Sequence, residues 1–157
     1  MLKVLPFLQT TGHCGPASLK MALAYFGVDK SESELAKLSG ATRSRGVEGA
    51  DLVAAAKKLG FDAFVKDNSK ITDIKKYLDL KIPVIVDWFS KDDGHYSVVV
   101  DMNEKNIYLQ DPEIGGIKKM PLETFKRVWF DFPGDLIKSS KDLVIRRMIV
   151  IKPREKK

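Results

Sequence analysis

One cysteine and two histidines occur among the 157 residues, so any thiol chemistry uses Cys14, with His13 or His95 as the base. Cys14 lies in Gln9-Thr10-Thr11-Gly12-His13-Cys14-Gly15-Pro16-Ala17-Ser18, just ahead of an apolar run. Gly12 and Gly15 bracket a bend, Pro16 suits the start of a helix, and Ala17 to Tyr25 are mostly helix formers. This places Cys14 at or beside a helix N-terminus, where unpaired N–H groups and the positive end of the dipole favour a thiolate, the nucleophilic form. A lone cysteine is ordinarily a small buried apolar residue. Nucleophilic chemistry therefore requires a base and a group to orient that base.

His95 stands at the start of a predicted strand with Val98, Val99 and Val100 behind it, and Asp111 closes the next one, just before Pro112. If the two strands form a hairpin whose turn centres on Asn103, they lie directly opposite each other. A tight turn centred between Glu104 and Lys105 leaves them near but not opposite. A carboxylate beside an imidazole fixes its tautomer and stabilises its charged form, as a base serving a thiol needs. Taken singly, His95 reads as a strand histidine and Asp111 as a turn residue. Together with Cys14 they make a nucleophile, a base and an orienter. His13 is the rival base, but as the immediate neighbour of Cys14 its side chain leaves the chain in another direction, and it reads as a loop residue. Cys14, His95 and Asp111 are also zinc-ligand types, yet no C-x-x-C or H-E-x-x-H spacing accompanies them, so neither a metal nor a cofactor is expected.

The elements that position these residues follow from periodicity and punctuation. Helices are expected from Cys14 to Gly27, from a Ser31/Glu34 cap to Gly40, and over Val47–Leu59, with a fourth capped by Asn68 or Ser69 and ending before Ile82-Pro83. A short strand is expected over Phe61–Val65. Beyond Pro83 the period falls to two, giving strands at Val84–Phe89, His95–Asp101 and Ile107–Gln110, with a charged turn over Ser90–Gly94. A loop over Pro112–Gly116, a helix over Leu122–Phe130, an irregular stretch over Phe132–Asp142 and a strand over Leu143–Ile151 complete the chain. Helices first and hairpin strands afterwards make an α+β domain with an antiparallel sheet, spanning residues 1–157 as one unit.

Composition narrows the partners. Apolar residues make up 44% and charged residues 31%, as in a globular protein. No stretch reaches the roughly 18 apolar residues of a membrane span, and Met1 to Gln9 is too short for a secretory signal, so a cytoplasmic location is expected. Half of the net charge of +6 comes from a basic tail, Lys152–Lys157. Arg43-Ser44-Arg45 and Arg146-Arg147 are too few, and too poor in neighbouring aromatics, for a nucleic-acid surface.

Gln9, Cys14-Gly15-Pro16-Ala17 with Leu19 and Met21, His95-Tyr96 before valines, and Asp111-Pro112 with Gly115 resemble the double-glycine leader peptidases. These are papain-like cysteine peptidase domains, usually fused to bacteriocin-exporting ABC transporters. Gly46 to Gly60, Ile82-Pro83-Val84-Ile85-Val86 and Leu122 to Trp129 fit the same pattern, so the resemblance covers about residues 5 to 130. It implies a papain-like fold, Cys14 as nucleophile, His95 as base and Asp111 as orienter. It also implies that the Gln9 amide joins the Cys14 N–H as an oxyanion donor, a role suited to an amide just upstream of a helix-start nucleophile. The implied substrate is a peptide or protein cut after small residues. The alternatives are a binding module of the same fold that breaks no bond, and an acyl or peptidyl transferase using the same three groups. The family commonly has an acidic or amide residue before the cysteine, where this chain has His13. With no membrane span or ATPase motif within the 157 residues, an exporting transporter is expected to be a separate chain.

Overall fold

The computed structural model of the protein describes residues 1–91 and 93–155. Asp92 of the expected Ser90–Gly94 turn and Lys156 and Lys157 of the expected basic tail lie outside the described residues. Three helices come first: α1 (Cys14–Tyr25), α2 (Glu32–Ser39) and α3 (Gly49–Lys58). Then follow β1 (Phe61–Lys66), α4 (Ile71–Asp79), β2 (Val84–Ser90), β3 (Asp93–Met102), β4 (Asn106–Asp111) and β5 (Gly116–Pro121). The chain ends with α5 (Leu122–Val128), β6 (Phe130–Asp131), β7 (Val144–Ile145) and β8 (Arg147–Pro153). Six strands make one antiparallel sheet in the order β1-β8-β2-β3-β4-β5, and β6 pairs with β7.

Helices cover both faces of this sheet. Leu19 and Leu23 of α1, Leu35 of α2 and Leu52 of α3 pack on Ile85, Tyr96, Val98 and Val100. Ile74 of α4 and Phe125 of α5 pack with Val84, Val86, Trp88, Val99 and Leu109 on the other face. Central strands buried on both sides read as continuous β-branched runs, as Val84-Ile85-Val86 and Val98-Val99-Val100 do.

Local chemistry explains where the elements start and stop. Ser31 caps α2 by accepting the Glu34 N–H at 3.0 Å. Pro16 is the third residue of α1, still within the first turn, where its missing N–H leaves no bond unmade. The α4 cap differs from the expectation: the Asp73 carboxylate accepts the Lys70 N–H at 2.8 Å. The N–H groups of Asn68 and Ser69 go instead to the carbonyls of Ile145 and Arg146, at 2.7 and 3.1 Å. The last strand breaks at Arg146, held at φ +49°, which separates β7 from β8. Strand β5 was not expected, because Lys118 and Lys119 obscure the buried apolar side chain of Met120.

A bulge in β3 sets the register that matters most. The turn is tight, with the Asn103 N–H donating to the Asn106 carbonyl at 2.9 Å, so it centres between Glu104 and Lys105. Next to it Met102 faces Ile107 and Asp101 faces Tyr108, but farther on Val99 faces Leu109 and Val98 faces Gln110. Val100 is the extra residue. One more step along the ladder brings Asp111 level with Ser97, on the same side of the sheet as His95. Without the bulge Asp111 would fall level with Val98, and the carboxylate and the imidazole would project from opposite faces.

The N-terminal arm uses what the bulge leaves free. The Leu2 N–H donates to the Val100 carbonyl at 2.9 Å, and the Gln9 N–H donates to the Pro112 carbonyl at 2.8 Å. Between them the Gln110 side-chain amide donates to the Val4 carbonyl at 2.8 Å. The arm thus runs along β3 and β4 and delivers Gln9 beside Asp111.

Helix α1 meets the rest of the chain through a glycine. A Cβ on Gly15 would stand 2.3 Å from Val47 Cγ1 and 3.4 Å from Tyr96 Cδ2. Gly15→Ala is therefore expected to destabilise the protein by about 1–3 kcal/mol in denaturant titrations, with Val47→Ala in the same chain recovering part of the loss.

Candidate active site

Cys14 is the first residue of α1 and half-buried, with His13 as the preceding cap. The Ala17 N–H reaches back to the His13 carbonyl at 3.0 Å, so Cys14 and Gly15 keep N–H groups that no helical carbonyl can take. Gly12 turns the chain into this helix at φ +79°, with the Arg43 backbone oxygen 2.4 Å from where a Cβ would lie. Only glycine fits there.

His95 lies in β3 next to Tyr96, whose hydroxyl donates to the Val47 carbonyl at 2.9 Å and whose ring lies beside Gly15. The imidazole is buried, and its Nε2 lies 2.5 Å from Asp111 Oδ1. Cys14 is the other group that acts on this ring, its hydrogen bond and its charge both favouring the imidazolium. Asp111 Oδ1 also accepts the Glu113 N–H at 3.0 Å. Trp88, opposite His95 on β2, sets its indole edge-on to the imidazole at 5.7 Å between centroids and donates to Ser97 Oγ at 3.0 Å. The indole thereby shields the ion pair from water.

Electrostatics favours the charged pair. Burial opposes a charge on His95, but the hydrogen bond to Asp111, followed by the hydrogen bond and charge of Cys14, outweighs it and pushes the pKa from 6.5 up to about 10. Burial would likewise raise Asp111, and the hydrogen bond and charge of His95 instead hold it below its ordinary value.

The other expected groups are placed as follows. Gln9 is half-buried, and its Oε1 is buried with no hydrogen-bond partner among the described residues. The His13 ring faces α2, with Nδ1 at 3.2 Å from Thr10 Oγ1 and 3.7 Å from Glu32 Oε1. His95, Asp111 and Glu113 offer ligand atoms within 4.8 Å of one another. The direct 2.5 Å contact of His95 with Asp111 leaves no room for an ion about 2.0–2.2 Å from each.

Several neighbours were not foreseen from sequence. Trp88 and Glu113 sit on turns or strands that only the observed pairing brings to His95, and Glu113 Oε2 is 3.8 Å from Nε2. Asp87 is buried one residue before Trp88, and burial first, then the adjacent Asp131 carboxyl, holds its proton on well above the usual carboxylate range. Phe89 stacks on Phe130 and Phe132, at 5.2 and 5.3 Å, so the aromatic that opens the expected irregular stretch packs rather than lies free. Leu136 and Ile137, farther along that stretch, stay exposed.

A cysteine at a helix start, beside a histidine and an aspartate on adjoining antiparallel strands, within an α+β sheet, is the layout of a cysteine peptidase domain. The model of the Peptidase C39 family matches residues 7–132, most of the chain, and the chain belongs to that family. An uncharacterised protein of Methanothermobacter thermautotrophicus is 36% identical over 125 residues, covering 79% of each chain. The lactococcin-G-processing and transport ATP-binding protein LagD of Lactococcus lactis is 30% identical over 129 residues, covering 82% of this chain but 18% of that longer one. In structure, the chain is similar to the peptidase domain of Streptococcus ComA, a bifunctional ABC transporter involved in quorum sensing. The TM-score is 0.77 at 25% identity, covering 96% of this chain and 99% of that one. Among the described residues no helix is long and apolar enough to cross a membrane.

The pair carries a sign for pH. A raised histidine pKa contributes stability fully below about 6.5, and that contribution is lost as pH rises through about 10. The lowered Asp111 contributes above its ordinary carboxylate value, and its share is lost as pH falls through the depressed one. Ring resonances of His95 followed by NMR are expected to report an imidazolium at pH 8, and Asp111→Asn is expected to move the midpoint down toward 6.5.

Proposed function

We propose that the chain is a cysteine peptidase that cuts a peptide through Cys14, His95, Asp111 and Gln9, with no cofactor. The observation that carries this reading is the buried 2.5 Å contact of His95 Nε2 with Asp111 Oδ1, on a ring whose charge Cys14 also favours. In the reaction, Cys14 Sγ bonds to the substrate carbonyl carbon while its proton resides on His95. The oxyanion that forms accepts from the Cys14 N–H and the Gln9 side-chain amide. His95 then gives its proton to the leaving amine as the C–N bond breaks, which leaves a thioester. Water attacks the thioester, His95 takes the water's proton, and the C–S bond breaks to release the acid and restore the thiol.

The resemblance of the site residues to the double-glycine leader peptidases supports a peptide with small residues before the cut. A separate membrane transporter is the partner that goes with such a substrate. One domain over residues 1–157, acting in the cytoplasm, belongs to the same reading. A binding module of this fold would have no use for a buried ion pair aimed at a half-exposed thiol.

A fluorogenic peptide with Gly-Gly before the reporter tests this. Wild type is expected to release the reporter, Cys14→Ala to fall to the buffer rate, and His95→Ala to lose about 100-fold or more in kcat/KM. Added hydroxylamine is expected to leave the free acid as the main product. Products that go chiefly to the amine would make the chain a transferase, and a Cys14→Ala chain that still turns over would remove the thiol from the mechanism.

A further inference from the structure

We infer that Glu32, in α2, is a positioning residue for the oxyanion donors, acting through Thr10 on Gln9; this rests on the peptidase reading above. Glu32 is a buried carboxylate and the first residue of its helix. Its two oxygens are both committed to one residue: Oε2 accepts the Thr10 N–H at 3.0 Å, and Oε1 accepts the Thr10 hydroxyl at 2.7 Å. The His13 ring closes the cluster, 3.2 Å from that hydroxyl and 3.7 Å from Oε1.

Thr10 follows Gln9 directly. The Gln9 N–H is fixed on the other side by the Pro112 carbonyl at 2.8 Å, one residue beyond Asp111. The amide groups on both flanks of Gln9 are therefore held, one by Pro112 just past β4 and one by α2. The side chain of Gln9 has no such hold, since its buried Oε1 lacks a partner among the described residues. With no bond of its own to orient it, the amide takes its direction from the backbone, and Glu32 fixes the half of that backbone nearer to Cys14.

A buried carboxylate is costly unless its lone pairs are used. Here two Thr10 donors use them, and the helix N-terminus favours the charge. Preorganised donors raise the rate only when aimed at the developing charge, and removal of one such donor typically costs about 100-fold or more.

The Gly-Gly reporter peptide and a double-mutant cycle test the inference. Glu32→Ala is expected to lower kcat about tenfold or more with KM within about twofold, while iodoacetamide labels Cys14 at the wild-type rate, because the sulfur and His95 are untouched. Glu32→Gln keeps an acceptor for the Thr10 N–H and is expected to recover most of the loss. In a Gln9→Ala background, Glu32→Ala is expected to cost nothing more. A Glu32→Ala chain with full kcat, or losses that multiply in the double variant, would overturn the inference. Should Glu32→Ala not fold, Thr10→Val with Gln9→Ala runs the same cycle, and multiplying losses count against it equally. If wild type itself fails to cut the peptide, the peptidase reading fails. The clasp is then read by hydrogen exchange at the Thr10 amide, expected slow in wild type and fast in Glu32→Ala, with equal rates contradicting it.

Discussion

The contact between the His95 ring and the Asp111 carboxylate decides what the rest of this structure can do. It occupies Nε2 of the ring and favours a charge on an imidazole that burial would otherwise discharge. It exists because one residue, Val100, is surplus in β3. A tight turn between Glu104 and Lys105 would have sent the two side chains to opposite faces of the sheet, and the bulge returns them to one. The carbonyl at the bulge is then taken up by Leu2, which starts the arm that leads Gln9 to the same end of the sheet. Register, bulge and arm are thus successive consequences of a single pairing.

Much of this was legible in the residues. A thiol at a helix start follows from Gly12, Gly15, Pro16 and the helix formers after them, and Ser31 and Gly40 bound α2 as expected. The α+β order and most strands followed from the change of period after Pro83. The register of β3 on β4 did not. Val98, Val99 and Val100 are all buried, so their pattern does not say which face is which, and only the polar residues His95 and Asp111 break the tie. Strand β5 was missed because two lysines mask its alternation, and the α4 cap because Asp73 serves from inside the helix.

The supporting residues were hardest to find because their partners are remote in sequence. Glu32 and Thr10 are 22 positions apart, and nothing in a capping pattern distinguishes a solvated first-turn glutamate from one that clasps a loop. Trp88 reads as a core aromatic until the β2–β3 hairpin sets it opposite His95. Asp87 breaks an apolar strand and signals itself only as a polar residue where none is needed. Its partner, Asp131, arrives from the far side of α5. In each case the residue type was visible, and its role depended on a contact between distant elements.

The reactivity of Cys14 tests the central claim most directly. With an imidazolium held beside the sulfur, iodoacetamide is expected to alkylate Cys14 at pH 6 well ahead of free cysteine, and His95→Ala is expected to bring the rate down to that of the free thiol. A wild-type rate no faster than free cysteine, or one that His95→Ala leaves unchanged, would mean that the sulfur and the ring do not act together.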